Sequence, residues 1–362
     1  MSTKALNYLA HINPLGYGVV GLNLFMALLE QDVDVKLWPI GQVDAAQSYI
    51  PFLQEAIDTR HSYDPRAPSL RVWHQHDLAH HVGNGPHIGY PIFELTEFTK
   101  IEQEEVEAMD YVLVCSQWAK DIVHSQCPRL HDSRVIVVPC GVDRQIFHEK
   151  VGGPDPKWTT FLNIGKWEYR KGHDILVEAF SKAFEPKDRV RLWMMNHNPF
   201  LSEQQTDEWE GMYKNSPMGD RISFLPRVRT HYEVAQVMAE ADCGVFPSRA
   251  EGWNLELIEM MSMGKQVITT DYSAHTEFCC HGNAHLIEIN DLEPAYDGVF
   301  FGDDTVGSWA KLGDYQFDML VEHLRAVHEN KTQRNTFGID TAKAYSWGNA
   351  AQRILEHDQI WG

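Results

Sequence analysis

Four charged side chains have a type and spacing that could do chemistry. They are Lys166 and Lys171, with four residues between them, and Glu251 and Glu259, with seven between them. Glu251 falls in a turn, Glu251-Gly252-Trp253-Asn254, just ahead of an expected helix. Glu259 falls one turn inside that helix, between Ile258 and Met260. A carboxylate on so apolar a segment needs a hydrogen-bond partner. The helix N-terminus between the two glutamates offers N–H groups and a positive dipole end, which suit a phosphate. The set suits a ligand with hydroxyls at both ends and phosphate between, which is the shape of a nucleotide sugar. Spacing alone equally permits a solvated Glu251 and a Glu259 paired with an arginine. The lysines sit in Gly165-Lys166-x4-Lys171-Gly172. Two cations in a strand-to-helix turn, with glycines that let the backbone approach, suit a diphosphate. Two solvated turn lysines are the simpler reading.

These residues need particular elements to hold them. An apolar run at 242–246 predicts a short buried strand that Pro247 and Ser248 end. Gly252 can take backbone angles closed to other residues. Asn254 is a good N-cap for a helix at 255–263, and Gly264 a good stop before a strand at 266–270. Upstream, the pattern predicts strands at 159–164, 189–195 and 221–225. Helices are expected up to 184, at 202–214 and at 230–240. Such alternation implies a parallel sheet covered on both faces. The first half begins the same way: a strand at 5–12, a helix at 19–29 and a strand at 33–39. Further strands are expected at 70–73, 87–93, 111–115 and 134–138, with Ser116 capping the helix after the third of these. Helix followed by polar loop is expected at 45–68. Residues 315–345 read as helical, followed by a helix at 349–357.

The stretch Pro247-Ser-x-x-Glu251-Gly-x-x-Leu255-x-Leu-x-Glu259, followed by Gly264-Lys-x-Val-Ile-x-Thr-Asp271, resembles the donor-site motif of retaining glycosyltransferases of family 4. The resemblance extends to Gly165-Lys166-x4-Lys171-Gly172, to Gly141-Val-Asp143-x3-Phe147 and to Tyr345-Ser-Trp347. It implies the α/β GT-B fold, two doubly wound Rossmann-like parallel-sheet domains facing a cleft. Expected bounds are 1–150 for the acceptor-side domain and 151–340 for the nucleotide-sugar donor domain, with 341–362 a helix crossing back to the first. Val151-Gly-Gly-Pro-Asp-Pro156 reads as the linker. The resemblance implies that Glu251 contacts the transferred sugar and Glu259 the ribose hydroxyls. Lys166 and Lys171 would hold the diphosphate, with Gly252, Asn254 and Leu255 forming the donor turn. Lys166 stands where the family usually has Arg, Asn254 where a Gly is common, and Glu256 where Pro or an apolar residue is usual.

In the first half, Gly16-x-Gly18-x-x-Gly21 literally matches the dinucleotide-binding glycine pattern. Asn13-Pro14 intervenes before the first glycine, and no acidic residue closes the second strand. An NAD(P)-dependent oxidoreductase is therefore the rival enzyme reading. The resemblance instead turns this loop, and Gly18 in it, toward the donor phosphates. His74-x-His76-Asp77-x-x-His80-His81 could hold a metal, His76 and His80 being four apart, but no framework presents three ligands. The resemblance gives His76 a place by the acceptor, where it could hydrogen-bond the sugar or take a proton. It gives Glu94 a place in an acceptor-side stretch without a chemical role. Asp32-x-Asp34 lies at the start of a strand, the wrong end for a ligand site, and reads as structural.

With 362 residues the chain can form two domains. A formal net charge of −20 argues against nucleic acid and anionic bilayer surfaces. The six cysteines include no Cys-x-x-Cys, and most read as reduced core residues. Neither a signal peptide nor an 18-residue apolar run is present, so a cytoplasmic protein is expected. The activity expected is retaining transfer of a hexose from a UDP- or GDP-linked sugar to a hydroxyl, with neither metal nor other cofactor. The acceptor is a glycan, a lipid-linked molecule or a small molecule. A non-catalytic nucleotide-sugar binder of the same fold is the further alternative. Donor base, acceptor and oligomeric state are not legible in the sequence.

Overall fold

Strand-helix alternation produces two parallel sheets, each in its own structural unit. The computed structural model describes residues 4–149 and 153–361. One unit comprises Met1–Asp143 with Tyr345–Gly362, the other Arg144–Ala344; the bounds expected from sequence were 150/151 and 340/341. Of the 151–156 linker segment, Val151 and Gly152 lie outside the described residues.

The first unit contains β1 (Ala5–Ala10), α1 (Gly16–Leu29), β2 (Asp34–Pro39), α2 (Ile50–Asp58), β3 (Ser69–Val72), β4 (His87–Gly89), α3 (Lys100–Glu107), β5 (Tyr111–Val114), α4 (Gln117–Gln126) and β6 (Val135–Val137). Its six parallel strands run in the order β2-β1-β3-β4-β5-β6. The order reverses between β1 and β3, which makes the C-terminal ends of those strands the natural ligand crevice of such a sheet. Val20, Leu24, Phe25 and Leu28 of α1 are buried at helical spacing with Leu6 and Tyr8 of β1. Ser116 caps α4, accepting the Ala119 N–H at 3.1 Å.

The second unit contains β7 (Thr159–Gly165), α5 (His173–Ala183), β8 (Val190–Asn196), α6 (Glu203–Lys214), β9 (Ile222–Phe224), α7 (His231–Glu240), β10 (Cys243–Phe246), α8 (Leu255–Ser262), β11 (Gln266–Asp271) and β12 (His285–Glu288). A small antiparallel pair follows, β13 (Leu292–Pro294) and β14 (Ser308–Ala310), then α9 (Asp314–Glu329) and α10 (Thr336–Ala344). The chain then returns to the first unit with α11 (Trp347–Leu355) and α12 (Asp358–Trp361). The second sheet runs β12-β11-β10-β7-β8-β9, all parallel, and its order reverses between β7 and β10. Phe161, Phe180, Leu192 and Val245 lie in its core. Trp167 joins them, its ring stacked on Trp209 at 5.7 Å between centroids.

Three expectations change. The strand expected at 87–93 ends at Gly89. Pro91 cannot donate to a ladder, and the Tyr90 hydroxyl bonds instead to the Val138 carbonyl. The helix expected at 315–345 is two helices, because Asn335 caps the second: its Oδ1 accepts the Gly338 N–H while its Nδ2 donates to the Lys265 and Asn283 carbonyls. Helix α3, opened by a Thr99–Glu102 capping box, and the β13–β14 pair were not foreseen. Five of the six cysteines are buried, and Cys280 is exposed. Among the described residues no helix is long and apolar enough to cross a membrane.

Candidate functional site

The turns after β7 and β10 meet at the point where the second sheet reverses its order. Two features hold them together. Gly172 adopts φ +71°, and a Cβ there would lie 2.0 Å from the Pro247 carbonyl oxygen, so only glycine allows the approach. The Arg249 N–H donates to the Arg170 carbonyl at 2.6 Å. The Arg249 guanidinium forks onto Asp174 with two 2.8 Å bonds and lies 3.7 Å over the Tyr169 ring.

Across this junction runs a chain of ion pairs. Lys166 Nζ donates to Glu168 Oε1 at 2.8 Å, and Arg170 Nη2 donates to Glu168 Oε2 at 2.7 Å. Arg170 Nη1 donates to Glu251 Oε2 at 3.0 Å and to the Ala250 carbonyl at 2.6 Å. Lys171 Nζ donates to Glu251 Oε1 at 2.8 Å, and the Ser248 hydroxyl donates to the same oxygen at 2.9 Å. Glu251 is therefore a buried, ion-paired carboxylate, and the reading that left it solvated is overturned. Its backbone is fixed as well: its N–H donates to Ser273 Oγ at 2.9 Å and its carbonyl accepts from Ala274. Of the three cations Lys166 is the most accessible, with 38% of its side chain exposed against 12% for Lys171 and 5% for Arg170.

The electrostatics follow from this pairing. Burial opposes the charge on Glu168, but Arg170 and Lys166 outweigh it and bring the carboxyl down to about 2. Burial opposes the charge on Glu251 too, and Lys171 and Arg170 hold that carboxyl well below the usual range. Lys171 is raised despite its burial, chiefly by Glu251. Two buried histidines remain neutral. His173 Nδ1 accepts the Glu168 N–H at 3.2 Å, leaving Nε2 to donate to Asn163 Oδ1 at 3.1 Å; burial lowers it to about 3. His275 Nε2 accepts from Asn254 Nδ2 at 3.0 Å, Nδ1 donates to the Thr270 carbonyl at 3.1 Å, and burial lowers it to about 4.

Asn254 opens α8 in the left-handed region, at φ 81°, and its Oδ1 accepts the Leu257 N–H at 3.1 Å. Asn tolerates this backbone better than most residues, and its side chain supplies a cap that a glycine would lack. Gly252 and Asn254 are buried, Leu255 is half-buried as the first residue of α8, and Glu259 is buried further along that helix. The structure thus collects Lys166, Lys171, Glu251, Gly252, Asn254 and Leu255 around one junction of the second unit, with Glu259 further along α8.

Gly18 and His76 belong to the first unit and lie beyond the C-terminal ends of β1 and β3, where that sheet reverses its order. A Cβ on Gly18 would lie 2.2 Å from the Asn13 carbonyl oxygen, and one on Gly21 would lie 2.2 Å from that of His11. Backbone packing alone therefore requires glycine at two of the three positions of the dinucleotide-like pattern, whereas a Cβ on Gly16 would meet nothing within 4 Å. His76 is exposed, with its ring stacked on His74 at 5.3 Å. Asp77 does not pair with its neighbour His76; its carboxylate accepts from the buried Arg71 at 2.6 Å. Tyr17 ties the start of α1 to the loop after β4, exchanging two bonds with the Ile92 backbone at 2.6 and 3.0 Å. Asp34 pairs with Lys36 at 2.7 Å at the start of β2. Among the described residues no group of three or more His, Cys, Asp or Glu is placed to hold a metal ion.

Sequence reading missed Glu168, Arg170, Ser248, His173 and His275. A signal was present for the first two: charges alternate through Lys166-x-Glu168-x-Arg170-Lys171 in one turn, a pattern that invites internal pairing.

Residues 159–299 match the family described as "Glycosyl transferases group 1". Over 98% of both chains the structure is similar to sucrose-phosphate synthase from Thermosynechococcus elongatus, at TM-score 0.70 and 14% identity. The chain has the GT-B fold. Another GT-B structure, Anabaena HepE in complex with UDP-glucose, aligns over 98% of this chain and 99% of its own at TM-score 0.68 and 16% identity. Among curated proteins the chain is 24% identical over 62% of its length to the gpi3 subunit of phosphatidylinositol N-acetylglucosaminyltransferase from Schizosaccharomyces pombe, and spans 43% of that protein. It is 21% identical over 96% of its length to alpha-maltose-1-phosphate synthase from Mycolicibacterium smegmatis, spanning 86% of that protein. In this chain the GT-B junction of β7 and β10 lies inside the matched segment.

Proposed function

We propose that the protein is a retaining glycosyltransferase that moves a hexose from a UDP- or GDP-linked sugar to an acceptor hydroxyl. The observation that carries this reading is the junction of β7 and β10, where Lys166, Lys171 and the Glu251–Asn254 turn converge at the start of α8. The donor diphosphate is met by Lys166, by Lys171 and by the N-terminal amides of α8, with Gly252 and Leu255 supplying close backbone. These groups neutralise charge growing on the departing diphosphate, the stabilisation that matters most in such a transfer. With two lysines and a helix dipole at the leaving group, the reaction proceeds without a metal ion or other cofactor. Glu259 accepts hydrogen bonds from the ribose. Glu251 fixes the sugar and Asn254 holds the turn.

Retention follows from attack on the same face as the leaving group. The bond from the anomeric carbon to the phosphate oxygen breaks, the acceptor oxygen bonds to that carbon, and the acceptor proton passes to the departing phosphate. Glu251 is a poor nucleophile for a covalent alternative, because its carboxylate is engaged by Lys171, Arg170 and Ser248. The names of the similar proteins differ, one printing phosphatidylinositol and others the sugar phosphate that is made; the acceptor class proposed here is a glycan, a lipid-linked molecule or a small molecule.

The test is thermal stability against UDP, GDP, ADP and their sugars without added metal, beside NAD and NADP. Stabilisation by one diphosphate, reduced in Glu259→Ala, is the expected result and identifies the base. Stabilisation by NAD or NADP alone would overturn the proposal. Donor turnover is then followed by release of the nucleoside diphosphate in the presence of candidate acceptors.

A further inference from the structure

We propose that Arg170 is a positioning residue of the donor site: by bridging Glu168 and Glu251 it fixes both carboxylates and, through them, Lys166 and Lys171. This inference rests on the function proposed above. Arg170 directs one edge of its guanidinium to each acid, with Nη2 2.7 Å from Glu168 Oε2 and Nη1 3.0 Å from Glu251 Oε2. The remaining oxygen of each acid takes one lysine, Glu168 Oε1 accepting Lys166 and Glu251 Oε1 accepting Lys171, both at 2.8 Å. The order is symmetrical about the guanidinium: lysine, glutamate, arginine, glutamate, lysine.

Burial separates the roles. Only 5% of the Arg170 side chain is exposed, and its bond to the Ala250 carbonyl seats it beneath the turn. It is thus a cation held away from any ligand, whereas Lys166 and Lys171 form the ends of the chain. Three cations against two carboxylates leave one positive charge in the cluster, which favours an anion. A diphosphate arriving at the lysines competes with Glu168 and Glu251 for them. Arg170 keeps both acids compensated when the lysines turn to the ligand, so neither is left as a lone buried charge. A planar two-edged donor does this where an ammonium cannot. The groups that face Glu251 are Arg170 and Lys171 from the turn after β7, neutral His173 from the start of α5, Ser248 from its own turn, and neutral His275 from the segment after β11.

The experiment compares wild type, Arg170→Gln and Arg170→Lys in the full chain, with circular dichroism as the check on folding. Carboxyl 13C NMR of glutamate-labelled protein, with Glu251→Gln for assignment, reads the titration midpoint of Glu251 without any ligand. Calorimetry with inorganic pyrophosphate and with UDP reads binding. Arg170→Gln is expected to raise the Glu251 midpoint by about one pH unit or more and to weaken pyrophosphate about tenfold, while Arg170→Lys restores the midpoint but not the binding. A folded Arg170→Gln with unchanged midpoint overturns the inference, since a merely structural arginine would lower stability and leave Glu251 unmoved. If Arg170→Gln does not fold, Arg170→Lys decides: pyrophosphate affinity equal to wild type overturns the inference, and about fivefold weaker binding supports it. Should wild type bind no pyrophosphate, the Glu251 midpoint alone decides, read in Arg170→Gln or, if that does not fold, in Arg170→Met: a midpoint unchanged from wild type overturns the inference, and one raised by about a unit supports it. Pyrophosphate binding without any response to UDP, GDP or ADP would count against the donor reading alone.

Discussion

Lys171 Nζ lies 2.8 Å from Glu251 Oε1, joining residues 80 positions apart at the junction of β7 and β10. Neither partner is solvated, with 12% and 7% of their side chains exposed. Removing one member of such a pair strands the other, at a typical cost of about 3 kcal/mol. Lys171→Met is therefore expected to lower stability by about that amount and to abolish stabilisation by the cognate nucleoside diphosphate. Urea unfolding with and without the diphosphate checks both.

Lys166 should behave differently. It is the accessible end of the chain, so Lys166→Ala is expected to change stability by no more than about 0.5 kcal/mol. Its effect belongs to binding, with diphosphate affinity falling about tenfold, the scale of one charge-assisted bond. A large stability loss without loss of affinity would contradict the assignment of roles.

Acid should lower the stability of the second unit in two overlapping windows. His275 at about 4 and His173 at about 3 lie below the ordinary histidine value near 6.5. The unfolded chain thus binds more protons there, and stability falls as pH drops from about 6.5. Glu168, at about 2, is also depressed, so its contribution is complete above the unfolded carboxyl value near 4.3 and is lost below it. Urea midpoints should decline from about pH 6.5 and further below about pH 4.3. Glu168→Gln should flatten the lower limb and leave the upper.

Gly172 and Asn254 both stand at positive φ, at 71° and 81°, yet should tolerate different replacements. Gly172→Ala meets the Pro247 carbonyl and is expected to cost about 3 kcal/mol or more. Asn254→Gly keeps the backbone but loses the cap and the bond to buried His275 Nε2, for about 1.5 kcal/mol. Asn254→Ala loses both and strains the backbone as well, for about 2.5 kcal/mol. Thermal unfolding of the three variants gives the order.

The sequence by itself determined the alternation of strands and helices, the caps at Ser116 and Asn254, the stop at Gly264 and the candidate ligand turns. Each is a local matter: an apolar period, a side chain that bonds the next turn's amide, or a glycine at a positive φ. Element ends moved where a distant contact competed, as when Asn335 split the expected helix at 315–345 by capping α10 while bonding Lys265 and Asn283. Only the tertiary structure decided what Glu251 is. In sequence it is a turn carboxylate that water could serve. The parallel sheet sets β10 beside β7, and Gly172 lets their turns touch. There burial removes the water, and Arg170 and Lys171 must replace it.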